Sequence, residues 1–130
     1  MFSHITFGTS DIRKAAAFYD AVFAPLGLKR TFSEIDDGII AYGQENQPPK
    51  FFVGTPFNEE PATVGNGTHV ALMAPNRAAV DAFHKAAVGL GGADEGTPGP
   101  RPQYHEHYYG AYIRDLDGNK LQACCHEPEG

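Results

Sequence analysis

The chain has 130 residues, of which 42% are hydrophobic, 20% charged and 12% aromatic. A single domain of that size buries roughly two-thirds of its unfolded surface, so it needs neither disulfides nor a metal merely to fold. Its 10 basic and 16 acidic residues leave a formal net charge of −6; the basic ones are scattered, which excludes the basic stripe of a nucleic-acid binder, and no apolar run reaches the about eighteen residues of a membrane span.

The opening residues MFSHITFG lack the basic and apolar regions of a signal peptide, so a cytoplasmic protein is expected. Residues 3–8 alternate, with Ile5 and Phe7 facing one way and His4 and Thr6 the other, which predicts a half-buried strand. Ser10 is placed to cap a helix over about 11–24, whose stripe is Ile12, Ala15, Tyr19 and Val22, with Phe18 beside it. Gly27 ends that segment. Strands are expected near 28–35, 38–44 and 50–56, separated by Asp37-Gly38 and by Asn46–Pro49. The polar, breaker-rich stretch 58–67 reads as a linker.

A strand over 68–74 follows, then a helix over 77–89 capped by Asn76, with Val80, Phe83, Ala87 and Leu90 as its stripe. Residues 91–107 read as a long loop containing one short edge strand. A hairpin closes the chain, 108–114 with 119–126. Its turn, Asp115-Leu116-Asp117-Gly118-Asn119, suits a type I turn followed by a left-handed glycine. That turn sets Gln122 opposite Tyr112, Cys124 opposite Gly110 and Lys120 opposite Arg114. Cys124 and Cys125 are neighbours that a strand points to opposite faces. No disulfide framework is expected, in keeping with a reducing compartment.

The two halves repeat. HITFGTSDIRKAAAFYDA at 4–21 slides onto HVALMAPNRAAVDAFHKA at 69–86, bringing His4 onto His69, Asp11 onto Asn76 and Phe18 onto Phe83. The order strand, helix, three strands therefore occurs twice, as a duplicated unit rather than a solenoid. Period-two geometry puts Ile5, Phe7, Val70 and Leu72 on the helix side. It puts His4, His69 and Gln122 on the other, concave side.

The segments HITFGTSDIRKAAAFYDAVFAPLG, THVALMAPNRAAVDAFHKAA and YYGAYIRDLDGNKLQACCH resemble the vicinal oxygen chelate superfamily. That group holds glyoxalase I, extradiol dioxygenases, fosfomycin-resistance enzymes and bleomycin-resistance proteins. The resemblance implies an α+β fold of two tandem βαβββ modules, about 1–57 and about 68–130 of one domain spanning 1–130. They would form a curved, partly open mixed-sheet barrel with helices outside. It also implies a homodimer, a small-molecule substrate or ligand, and one divalent metal such as Zn, Ni, Mn or Fe. His4 and His69 match the opening-strand metal ligands, and Gln122 stands where glutamate is usual. The fourth ligand position falls in KFFVGTP at 50–56, which has no histidine or carboxylate.

Two histidines and a carboxylate make a Lewis-acid site for a chelating oxygen substrate. A glutamine there is a weaker ligand and cannot act as a general base. The plain alternative for His4 and His69 is a pair of sheet histidines without metal. For Gln122 the alternative is a polar residue bonded to Tyr112. In the loop Tyr104–Tyr109, Glu106 is a candidate substitute base, and His105 and His107 are candidates for a proton shuttle or a completed metal site. The same residues suit a solvated loop over the cavity, where His105, His107 and Tyr108 would touch a ligand. Tyr112, mid-strand on the cavity face, is a candidate for both catalysis and substrate binding. His84 and His126 are expected to be merely exposed. Cys124 has no evident adjacent base. The glycine-rich stretches 89–92 and 96–99 lack the order of a phosphate loop. Two functions follow: first, a glyoxalase-like metal-dependent lyase, isomerase or dioxygenase; second, a metal-free binding or drug-sequestering protein.

Overall fold

The opening alternation forms β1 (Ile5–Gly8), which leads into α1 (Ile12–Phe23). After a 3-10 turn at Ala24–Leu26 come β2 (Lys29–Glu34), a second such turn at Ile35–Asp37, β3 (Ile39–Gly43) and β4 (Phe51–Gly54). The second copy runs β5 (His69–Met73), α2 (Arg77–Gly89), β6 (Ala93–Pro100), β7 (Tyr109–Arg114) and β8 (Lys120–Cys125). This computed structural model describes residues 1–129. The fold is α+β, with two four-stranded mixed sheets ordered β1-β4-β3-β2 and β5-β8-β7-β6. The sheets are not hydrogen-bonded to each other, so no closed barrel forms within the chain.

Local chemistry explains the element ends. Asp11, not Ser10, caps α1: its carboxylate accepts from the Lys14 amide at 3.1 Å. The repeat had already aligned Asp11 with Asn76, and the Asn76 side chain caps α2 by accepting from the Ala79 amide at 2.8 Å. Ser10 instead ties distant segments together. Its hydroxyl accepts from the Ala62 amide at 2.8 Å, and its amide donates to Asp117 at 2.8 Å. Gly27 ends the first helical segment at φ 76°, a left-handed conformation that favours glycine.

Two other expectations need correction. Leu90 is the residue that closes α2, its backbone already out of helical geometry at φ −100° and ψ 12°, and it is 47% exposed. The edge strand expected within 91–107 is present but longer than a short one: β6 runs for eight residues. Its pairing with β7 shifts register between Asp94 and Gly96 and again between Gly96 and Gly99. Only an edge position tolerates such bulges together with Pro98 and Pro100, which have no amide proton.

The closing hairpin holds the expected register: Tyr112 faces Gln122, Gly110 faces Cys124 and Arg114 faces Lys120. The Asp115 amide donates to the Asn119 carbonyl at 2.9 Å, and Gly118 takes φ 93°.

The two modules meet chiefly through their helices. α1 packs on α2, and α2 also packs on the turn at Ala24–Leu26. Phe18, Val22, Phe23, Val53, Phe83, Ile113 and Leu121 join in one core, each at most 1% exposed. Burying each such side chain contributes roughly 1.5–3 kcal/mol. The hairpin turn locks this arrangement. Asp115 accepts from the Tyr19 hydroxyl at 2.5 Å, and the Asn119 side-chain amide donates to the Gly8 carbonyl at 3.0 Å.

Candidate functional site

Each sheet turns one face to the helices and leaves the other open. On the first sheet the open face follows from Thr6 pairing with Phe52, Phe52 with Ala41, and Ala41 with Phe32. His4 stands just before β1 at this face. Its ring lies 4.9 Å from that of Phe52, and its Nδ1 is 2.8 Å from the Ser3 hydroxyl. Phe52 holds the place that Gln122 holds in the second sheet, so this wall is largely apolar. A cavity of about 400 Å³ beside the start of β1 is lined by His4, Phe2, Tyr42 and Lys50 but not by His69, Tyr112 or Gln122. It therefore does not unite the residues singled out by sequence.

The second open face is richer in chemistry. In the β5–β8 register His69 lies beside Lys120, Ala71 beside Gln122 and Met73 beside Cys124. The His69 ring approaches that of Tyr112 edge-on, with centroids 5.7 Å apart. The Lys120 ammonium stands 5.1 Å from the centroid of the same tyrosine ring. Burial, followed by a hydrogen bond with Tyr104, pushes the Tyr112 phenol up to about 12, which keeps it protonated at neutral pH.

Gln122 is 2% exposed. Its side-chain amide donates to the Tyr108 hydroxyl at 2.5 Å, so its partner is Tyr108 rather than Tyr112. Gly110 makes this possible. A Cβ there would come within 3.1 Å of the Gln122 amide nitrogen and 3.2 Å of the Tyr108 ring.

The connection from β6 to β7 folds over this wall. The Tyr104 and Tyr112 hydroxyls are 3.3 Å apart, and the Tyr104 and Tyr108 rings meet edge-on at 4.8 Å. His105 Nε2 lies 2.8 Å from His126 Nδ1, and His126 Nε2 lies 3.6 Å from the Cys124 sulfur. His126 is thus engaged rather than idle, and Cys124 does have an imidazole beside it. The spacing of two between Cys124 and His126, which puts both on one face of a strand, was the available signal. The proton order can be traced. The His107 amide donates to His105 Nδ1 at 3.1 Å. A neutral His105 then carries its proton on Nε2 and donates to His126, which leaves His126 presenting an N–H to the sulfur. The neutral chain of groups gives Cys124 a donor, not a base, and burial pushes its thiol pKa up.

Glu106 points into solvent, its side chain 83% exposed, and its carboxylate lies 3.5 Å from His107. His84 is paired with Asp94 at 2.9 Å, contrary to the expectation of a free surface residue. That hydrogen bond is the main reason the Asp94 carboxyl sits below its usual range.

The candidate metal ligands are divided. His69 and Gln122 share the second wall, while His4 belongs to the first. No group of three or more His, Cys, Asp or Glu among the described residues is arranged to hold a metal. The donors are two imidazoles and a carboxamide, so the set supplies no negative charge. The Lys120 ammonium, beside His69, adds a positive one. Without a carboxylate, and with an ammonium on the same face, the set is a weaker fit for a divalent cation than two histidines and a carboxylate.

Comparison with known proteins supports the fold and places the chain. The sequence profile of the Glyoxalase/Bleomycin resistance protein/Dioxygenase superfamily matches residues 1–123. The chain belongs to this superfamily. A glyoxalase/bleomycin resistance protein from Albidiferax ferrireducens T118 is 36% identical, with a TM-score of 0.85, covering 96% of this chain and 98% of its own. A glyoxalase-related enzyme from Fulvimarina pelagi is 20% identical, with a TM-score of 0.72 and coverage of 96% and 87%. The fosfomycin resistance protein FosX from Mesorhizobium loti is 16% identical, with a TM-score of 0.66 and coverage of 98% and 92%. At those last identities the likeness shows the fold alone. A search of curated proteins found no match. The superfamily includes metalloenzymes and drug-resistance proteins, so membership leaves the chemistry of this wall to its own residues. No helix among the described residues is long and apolar enough to cross a membrane.

Proposed function

We propose that the protein binds a small organic molecule against the open face of its second module, without a resident divalent metal. The cavity is closed by the first module of a second copy of the chain. The observation that carries this reading is the neutral donor set: His4, His69 and Gln122 include no carboxylate, whether or not a partner's first module brings its His4 over the second wall, and the Lys120 ammonium shares the face of His69. Both walls are uncovered within one chain: His4, Thr6, His69 and Ala71 are exposed, and Met73 is 65% exposed. A partner's first module would bring an apolar wall with Phe52 and Phe32 over the polar one. An apolar body and a few convergent polar groups are the usual makeup of a ligand site.

Metal content of untagged protein, by mass spectrometry, tests this directly. Wild type is expected to carry no stoichiometric metal, and Gln122→Glu, which places a carboxylate on the open face that also carries His69, is expected to gain one. Near-stoichiometric metal in wild type that disappears in His69→Ala would overturn it. A second reading, the metal-dependent enzyme of the glyoxalase type, is favoured by one observation: His69 and Gln122 do occupy adjacent strands of one face.

A further inference from the structure

We infer that the ligand of the second wall is an anion, a carboxylate or phosphoryl group held by Lys120 with His69 and Tyr112 beside it. This rests on the reading that the wall is a small-molecule site. Lys120 is half-buried on the open face, its ammonium over the Tyr112 ring, with His69 in register next to it. Among the described residues it forms no ion pair with any carboxylate.

The surroundings add to this. Arg101 spends its guanidinium on carbonyls, donating to Gly99 at 2.9 Å and to Thr97 at 2.8 Å, and also has no acidic partner. It lies near Tyr112: a Cβ on Gly96 would come within 3.1 Å of the Tyr112 ring and 3.4 Å of the Arg101 guanidinium. Arg114 is the third cation of this sheet, and it is neutralised by Glu95. Near the Tyr112 ring, then, Lys120 and Arg101 are two cations that pair with no carboxylate among the described residues. A partly desolvated ammonium that lacks a carboxylate in its own protein gains most from an ionised ligand.

The Tyr112 phenol remains a neutral donor, and His69 supplies a second polar edge. Both can complete the hydrogen bonds of a planar carboxylate or a tetrahedral phosphoryl group. Next to Tyr112, whose ring lies under the Lys120 ammonium, Tyr104 meets both the Tyr112 hydroxyl and the Tyr108 ring. An aromatic anion therefore matches the wall better than a bare ion. The same Lys120 that disfavours a divalent cation beside His69 thus supplies the charge that an anionic ligand needs.

The test is an NMR titration of the full-length protein with benzoate, with its neutral isostere benzamide, and with phenyl phosphate. Wild type is expected to bind benzoate or phenyl phosphate about tenfold tighter than benzamide, the size of one charge-assisted hydrogen bond. Added salt should narrow the gap. Lys120→Gln should abolish the preference while leaving benzamide binding in place, and Lys120→Arg should keep most of it. Whichever anion binds tighter separates a carboxylate site from a phosphoryl one, and either result supports the inference. Equal binding of benzoate, phenyl phosphate and benzamide, or a preference that survives Lys120→Gln, would overturn the anion assignment while leaving the small-molecule site standing. Binding of none of the three probes would remove both. An unchanged melting temperature in Lys120→Gln verifies that the variant is folded.

Discussion

The two modules are copies of one supersecondary unit, yet their open faces and their hairpin turns differ. The strand β4 in the first and β8 in the second are equivalent, but Phe52 stands where Gln122 stands. The β3 strand carries Ile39 and Ala41 where β7 carries Gly110 and Tyr112. Both walls keep a histidine and a lysine, His4 with Lys50 and His69 with Lys120, but the first carries Phe52 and Ala41 where the second carries Gln122 and Tyr112. Their hairpin turns differ as well. The first, at 44–49, is exposed, whereas the second, Asp115–Asn119, is partly buried and gripped by Tyr19 and Gly8 of the first module. A duplicated fold can therefore keep its backbone while the side chains of its two open faces diverge.

The largest expected effect probes the turns. Asp115 accepts from Tyr19, from the Asn119 amide and side chain, and from the Asp117 amide. Asp115→Ala strips these buried donors of their acceptor and should cost about 2–4 kcal/mol in urea unfolding. Gln47→Ala in the first module's turn should change stability by less than about 0.5 kcal/mol. Equal effects would erase the distinction between the turns.

Gly110→Ala comes next, at about 1–3 kcal/mol, because the new methyl must push Tyr108 or Gln122 aside. A crystal structure of that variant should show the hydrogen bond between Gln122 and Tyr108 broken. An unmoved pair would mean that the wall does not need the glycine.

The pH dependence gives a smaller signal. Burial raises the Asp115 carboxyl above its ordinary range, against the hydrogen bonds that lower it. The folded protein then binds that proton more tightly than the unfolded chain does. Stability should fall as pH rises through the window just above the usual carboxylate range, by at most about 1.4 kcal/mol per pH unit. Asp115→Asn should flatten the slope in unfolding measurements across that window. The smallest effect is expected at the exposed pair Arg13 and Asp36, 2.8 Å apart. Arg13→Ala should cost no more than about 0.5 kcal/mol by the same method.

Much of this architecture was legible in the residues. Strand alternation, the repeat and the Asp115–Asn119 turn led to the order of elements and to the hairpin register, because each is a local property. The cap of α1 was misplaced by one residue, since serine and aspartate are both good caps and only the three-dimensional demand on Ser10 distinguishes them. The length of β6 was hidden by its glycines and prolines, which suit an edge strand as well as a loop. In the candidate site, the faces of His69, Tyr112 and Gln122 followed from period two. The partnership of Gln122 with Tyr108, reached across a glycine, did not. Neither did the chain from Cys124 through His126 to His105, because a loop has no period from which to place His105. Lys120 was set opposite Arg114 by the register, but its lack of a counter-ion is a tertiary fact.

The most direct test of the shared cavity is a crosslink. His4→Cys and His69→Cys are combined in one chain, treated with a short bismaleimide and run on a denaturing gel, with the buried Cys124 and Cys125 of wild type as the control. If one copy's first module covers the other's second, the product migrates at twice the 14.0 kDa chain mass. A product crosslinked only within single chains would contradict that assembly.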